Sequence, residues 1–258
     1  MDAATCKSRR QFLEQLSGYG GAALLAPAIS VQGELTALRD KPAKGFTFLF
    51  QGDSITDGNR SRNNDWNHVM GHGYQYIIAS KWWYDNPGSD FHFFNRGVSG
   101  NKVSDLAARW EADTLAIKPN LLSILVGIND VSAWINGDRE CTADRFESGY
   151  RELLQRTRAN LPGIRLVLCD PFVLPVGHIS DKYDQYREAV RQRQDIVRQL
   201  AAAYHAIYVP FQEAFDAALE KAPAEYWIWD GIHPMPAGHE LMAIAWMKKV
   251  GRTLGLGH

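Results

Sequence analysis

A chain of 258 residues is long enough to bury one sizeable core or two small ones. Apolar residues make up 45% and charged residues 22%, an ordinary globular balance. The formal net charge of -1 supplies no strong pull toward nucleic acid or an anionic membrane, so function has to come from a site rather than from bulk charge.

The N-terminus differs from the rest. Arg9 and Arg10 precede Phe12 and Leu13, a small-residue, weakly apolar run follows, and Ala26-Pro27-Ala28 suits a cleavage site. Residues 1–28 read as a twin-arginine export signal to the periplasm, with Glu14 where a lysine is commoner. The alternatives are an amphipathic helix or a disordered arm on a cytoplasmic protein. The apolar run is too short and too glycine-rich for stable membrane insertion.

Beyond it, short apolar runs alternate with longer helical patterns. Residues 46–51, 91–95, 121–127, 164–170 and 206–210 are rich in β-branched or aromatic residues and too short for helices, so they read as strands. Helices are expected over 73–84, 102–117, 143–159, 183–204 and 237–254. The fourth is amphipathic, with Tyr186, Val190, Ile196, Val197 and Leu200 among many charges. Alternation of this kind predicts one α/β domain over 33–258, a five-stranded parallel sheet covered by helices on both faces. Sites in such sheets form in loops past the carboxyl ends of the strands.

Four polar clusters meet that condition: Ser54 after the first strand, Asn95–Asn101 after the second, Gly127–Asp130 after the third, and Asp230–His239 before the last helix. Asp230 and His233 are three apart in a tight loop, so the carboxylate can hold the imidazole in the tautomer that a serine base requires. Ser54 would be the nucleophile, His233 the base and Asp230 the orienting carboxylate. Negative charge on the attacked carbonyl oxygen needs donors in place. The Ser54 N–H, Gly97, where a missing side chain permits close backbone approach, and the Asn129 amide are the candidates.

Each of these residues alone has a plainer reading as cap, turn or packing residue. The weight lies in four clusters occurring together, in order, at strand ends. Three cysteines (Cys6, Cys141, Cys169) make no disulfide framework. A Cys141–Cys169 bridge is open, with buried free thiols preferred. His68 and His72 have helical spacing but no third ligand, so no metal is expected.

Gly52-Asp53-Ser54, Gly97, Gly127-Ile128-Asn129-Asp130 and Asp230-Gly231-Ile232-His233 resemble the four blocks of the SGNH hydrolases, or GDSL-type esterases. The resemblance implies a flavodoxin-like three-layer sandwich, a triad of Ser54, Asp230 and His233, oxyanion donors on Ser54, Gly97 and Asn129, and no cofactor. The surrounding sequence is similar to the carbohydrate-acetylesterase branch, which includes acetylxylan esterases and whose members are often oligomeric. An acetylated plant polysaccharide fragment is then the expected substrate. Trp229, beside Asp230, is the first candidate to line the acyl or sugar pocket, followed by Trp227 and Trp134; core packing is the alternative for all three. A lipid acylhydrolase or thioesterase on the same triad is the second reading, and a non-catalytic carbohydrate-binding protein the third. A nucleotide-binding module is disfavoured, since no GxGxxG or GxxxxGK[ST] follows the first strand.

Overall fold

In the computed structural model, residues 41–63 and 65–256 are described; the segment read as an export signal, with Cys6, lies outside them. Five short strands pair in parallel: β1 (Thr47–Gly52), β2 (His92–Asn95), β3 (Leu121–Leu125), β4 (Arg165–Cys169) and β5 (Ile207–Val209). Their order is β2-β1-β3-β4-β5, a doubly wound arrangement whose direction of winding switches between β1 and β3.

The near-continuous apolar runs follow from burial on both faces. Phe48, Leu121, Val167 and Val209 point to one side, and Leu49, Leu122, Leu166 and Leu168 to the other. Helices α2 (Tyr74–Asp85), α7 (Phe211–Ala218) and α9 (Pro236–Leu254) cover the first face with Ile78, Trp82, Phe211, Met242 and Trp246. Helices α3 (Val103–Trp110) and α5 (Ala143–Asn160) cover the second with Leu106, Trp110, Phe146, Tyr150 and Leu153. Both large indoles also satisfy their polar edge. Trp246 donates Nε1–H to Ser123 Oγ on the central strand at 3.0 Å, and Trp110 donates to Thr157 Oγ1 at 3.0 Å.

Helix α6 (Tyr183–Ala203) buries Tyr186, Val190, Val197 and Leu200, the stripe anticipated from its spacing. It also buries Arg193, which donates to the Cys141 carbonyl at 2.7 Å. The helix expected over 102–117 ends earlier, as α3 followed by a π-helical turn, Glu111–Leu115. Five short helical elements lie outside those expectations: α1 (Ser54–Asp57), α4 (Ile128–Ile135), α7, α8 (Ala224–Trp227) and a 3-10 turn, Gly177–Lys182. Each is eight residues or fewer, below the length at which periodicity separates helix from loop. Cys141 and Cys169 are buried free thiols, and His68 packs its Nδ1 2.6 Å from Asp65 Oδ2.

Trp246 joins α9 to the centre of the sheet by area and by a hydrogen bond. Trp246→Ala should lower unfolding free energy by about 3–5 kcal/mol, measured by urea denaturation, whereas Ile244→Ala on the exposed side of α9 should stay within about 0.5 kcal/mol.

Candidate active site

The first strand ends in a turn that a side chain would prevent. A Cβ on Gly52 would sit 2.3 Å from the Leu125 carbonyl and 2.5 Å from Thr56 Oγ1, so only glycine lets β1 and β3 converge there. Asp53 then caps α1, its Oδ1 accepting from the Ile55 N–H at 3.1 Å. Ser54 is the first helical residue, and its N–H has no acceptor within the helix.

Ser54 Oγ lies 2.8 Å from His233 Nε2, and His233 Nδ1 lies 2.7 Å from Asp230 Oδ2. With Nδ1 protonated toward Asp230, Nε2 is left to accept from the serine hydroxyl. The other Asp230 oxygen accepts the backbone N–H groups of Ile232 at 2.9 Å and His233 at 2.7 Å. The loop is closed by Trp229 N–H to the His233 carbonyl, 3.2 Å, and by an antiparallel bridge between Ile228 and Pro234. Gly231 has φ +96 and Gly177 abuts the Asp230 backbone, so the 174–179 segment packs directly against the Asp230–Gly231 chain.

Charge follows this geometry. Burial works to raise Asp230, but the bonds from the His233 ring and from the His233 and Ile232 N–H groups outweigh it and hold the carboxyl below its usual range. The bond to Asp230 raises His233, against the opposing effect of burial. Asp53 and Asp130 behave differently: burial pushes each up to about 7. Both keep one buried carboxyl oxygen without a hydrogen-bond partner among the described residues.

The remaining clusters converge on α1. Asp57 accepts from Ser99 N–H and Oγ at 3.0 and 3.2 Å and from Arg62 at 2.6 and 2.9 Å. Asn95 donates to the Thr56 carbonyl at 2.7 Å and accepts the Gly97 N–H at 2.8 Å. Gly97 itself lies against the chain of α1, where an added Cβ would meet Asp57 N at 2.3 Å. Its N–H is thus committed within the loop, and its glycine character serves packing. Gly100, in the same loop, has φ +82 and open space at its α-carbon. The Asn129 amide donates to the Asn101 carbonyl at 3.1 Å, which sets its side chain beside the Asn101–Lys102 peptide, one residue past Gly100, with a second amide hydrogen left over. Asp130, the next residue, ties α4 to α3 through the Val103 N–H at 3.3 Å.

Of the three tryptophans, Trp229 alone stands against the triad: it is 61% exposed and stacks on His233, centroids 6.3 Å apart. Trp227 is partly buried and donates to the Ala222 carbonyl at 3.2 Å. Trp134 lines a separate cavity of about 310 Å³ beneath the Arg193 guanidinium. Asp57, Asn95 and Gly100 were missed as site-building residues; the only sequence signal was their position beside the motif residues.

Residues 50–241 match the GDSL-like lipase/acylhydrolase family. An acetylxylan esterase from Geobacillus stearothermophilus is 33% identical over 219 residues, covering 82% of this chain and 96% of that protein. The crystal structure of that organism's acetylxylan esterase Axe2 superposes with a TM-score of 0.72 at 32% identity, over 82% of this chain and 96% of that one. A protein from Parabacteroides merdae assigned as a GDSL-like lipase gives 0.75 at 39% identity, over 82% and 99%. The chain belongs to the GDSL-like lipase/acylhydrolase family and is a carboxylic ester hydrolase.

Proposed function

We propose that the protein removes acetyl groups from O-acetylated carbohydrate through an acyl-enzyme on Ser54. The observation that carries the reading is the unbroken relay from Ser54 Oγ through His233 to Asp230, at 2.8 and 2.7 Å. His233 takes the serine proton as Oγ attacks the ester carbonyl, then returns it to the departing sugar hydroxyl. Water, deprotonated by the same imidazole, releases acetate. The Ser54 N–H and the Asn129 amide are the donors we assign to the oxyanion. We assign the third to the Gly100 N–H in place of Gly97, because the Gly97 N–H already serves Asn95.

The carbohydrate preference rests on the similarity to an acetylxylan esterase along nearly its whole length. It is also favoured by the exposed Trp229 face beside the imidazole, a flat surface suited to a sugar ring. Solved relatives include serine-to-alanine and aspartate-to-alanine catalytic mutants of Axe2, which supports the residue types we assign at Ser54 and Asp230. Action outside the cytoplasm, after export directed by residues 1–28, belongs to the same reading.

With 4-nitrophenyl acetate and acetylated xylo-oligosaccharides as substrates, Ser54→Ala should abolish turnover. Asp230→Asn should cost about 10³–10⁴ in kcat, and Asn129→Ala about 10²–10³. Octanoyl or longer esters outpacing acetyl esters would instead favour a lipid acylhydrolase. The base must be neutral to accept a proton, and its partner raises its pKa. In a pH series, kcat/KM should therefore rise with pH through a midpoint above the ordinary histidine value of about 6.5. A rate flat from pH 5 to 9 would exclude His233 as the base.

A further inference from the structure

A cavity of about 1110 Å³ lies away from Ser54, along the outer side of edge strand β2. Its walls include Phe94 and Arg96 from β2 and the following loop, Arg60, Arg62 and Trp66 from the α1–α2 connection, and Asp113 from the π-helical turn. The mechanism above uses none of these side chains.

The guanidiniums are unequally satisfied. Arg62 is paired with Asp57 at 2.6 Å. Asp113 is taken by Arg109 at 2.9 Å, leaving Arg96 3.8 Å from the same carboxylate. Arg60 donates Nε–H to the Gly97 carbonyl at 3.0 Å, and its terminal nitrogens have no hydrogen-bond partner among the described residues. Burial and the nearby charges of Arg62 and Arg96 push the Arg60 guanidinium down to about 10, as expected of crowded positive groups short of a counter-charge. Asp90 also lines the cavity, but six residues before Arg96, on the order of 20 Å along an extended strand.

Position connects the cavity with the triad. The carbonyl held by Arg60 belongs to Gly97, which packs on the Asp57 backbone, and Asp57 stands about 5 Å along α1 from Ser54. Aromatic faces are present too: Trp66 is 76% exposed, and the Arg96 guanidinium lies 5.6 Å from the Phe94 ring centroid. A local excess of about one cation, with Asp113 and Asp90 in the walls, matches a single carboxylate and would leave most of a dense polyanion's charge uncompensated.

The geometry points to a subsite for a carboxylate-bearing sugar, a uronic acid on the acetylated glycan, with Arg60 and Arg96 holding the carboxylate and Trp66 the ring. This rests on the carbohydrate reading of the triad and names the substrate class more closely. Arginine is the fitting residue, since its planar fork matches a carboxylate.

The experiment is calorimetric titration of the Ser54→Ala protein with two ligands: a xylo-oligosaccharide bearing a glucuronic acid branch, and the same compound with its carboxyl reduced to the alcohol. The acidic form should bind about tenfold more tightly at low salt. That difference should vanish when Arg96→Gln or Arg60→Gln is added. Arg96 is the safer probe of the two, since its polar contacts, at 3.3 Å to the Asn95 carbonyl and 3.8 Å to Asp113, are weak. Equal affinities for the two ligands, or tighter binding of inorganic phosphate than of the uronate, would overturn the subsite. A wild-type protein that deacetylates no glycan while the Ser54→Ala protein keeps the acidic preference would sink the deacetylase reading and support the subsite.

Discussion

One carboxylate organises the catalytic end of the molecule. Asp230 uses one oxygen to gather the N–H groups of Ile232 and His233 and the other to hold the imidazole. The same three donors that fold the loop keep the carboxyl ionised despite its burial. On the proposed mechanism, folding and catalysis would draw on one set of bonds: a loop that closes correctly presents His233 in the tautomer that can receive a proton. The closing bond from Trp229 N–H to the His233 carbonyl places an exposed indole against the ring, so the loop that builds the base also builds a face beside it.

On the opposite side of Ser54, the constraint is space. Gly52 and Gly97 are positions where a single methyl group would collide with backbone at 2.3 Å, and these approaches let β1, α1 and the 95–101 loop nest together. Asp57 then fastens the nest through Ser99 and Arg62, and Asn95 fastens it through the Thr56 carbonyl. Ser54 thus sits on a short helix fixed by the Asp53 cap, by close glycine approaches and by side-chain bonds from the 95–101 loop, which hold so short a helix in position.

Much of this was legible beforehand, and the failures share a cause. The five strands and their parallel pairing follow from apolar runs whose two faces are both buried, a pattern visible in Phe48 and Leu49 or in Val167 and Leu168. The Asp230–His233 pair was legible because its members are local. Gly97 was read as a substrate-facing donor, and its N–H instead meets Asn95; two glycines in one loop, Gly97 and Gly100, carry no sequence difference that says which packs and which opens to solvent. Trp134 and Trp227 were grouped with Trp229 by proximity to motif residues, yet helix geometry turns Trp134 toward Arg193 and Trp227 toward the Ala222 carbonyl. Asp57 stands in no motif, and its partner Ser99, 42 residues downstream, is invisible to local pattern.

The electrostatic surroundings of His233 complete the picture. Of Asp53, Asp130 and Asp230, Asp230 alone has donors enough to be held below the usual carboxyl range, as Asp57 is at the far end of α1 through Arg62 and Ser99. Asp53 and Asp130 each accept one backbone N–H and are pushed toward neutrality by burial. Were all three fully ionised, the pocket would hold a strongly negative potential, and the oxyanion that forms at Ser54 would be opposed by it. With Asp53 and Asp130 pushed up by burial, the carboxylate that meets the imidazole and is held down is Asp230, on the Nδ1 side and away from Ser54. On the proposed mechanism it would stabilise the imidazolium from the side opposite Ser54, and the direction of the relay, from serine through histidine to Asp230, would be set by which carboxylate the fold has supplied with donors.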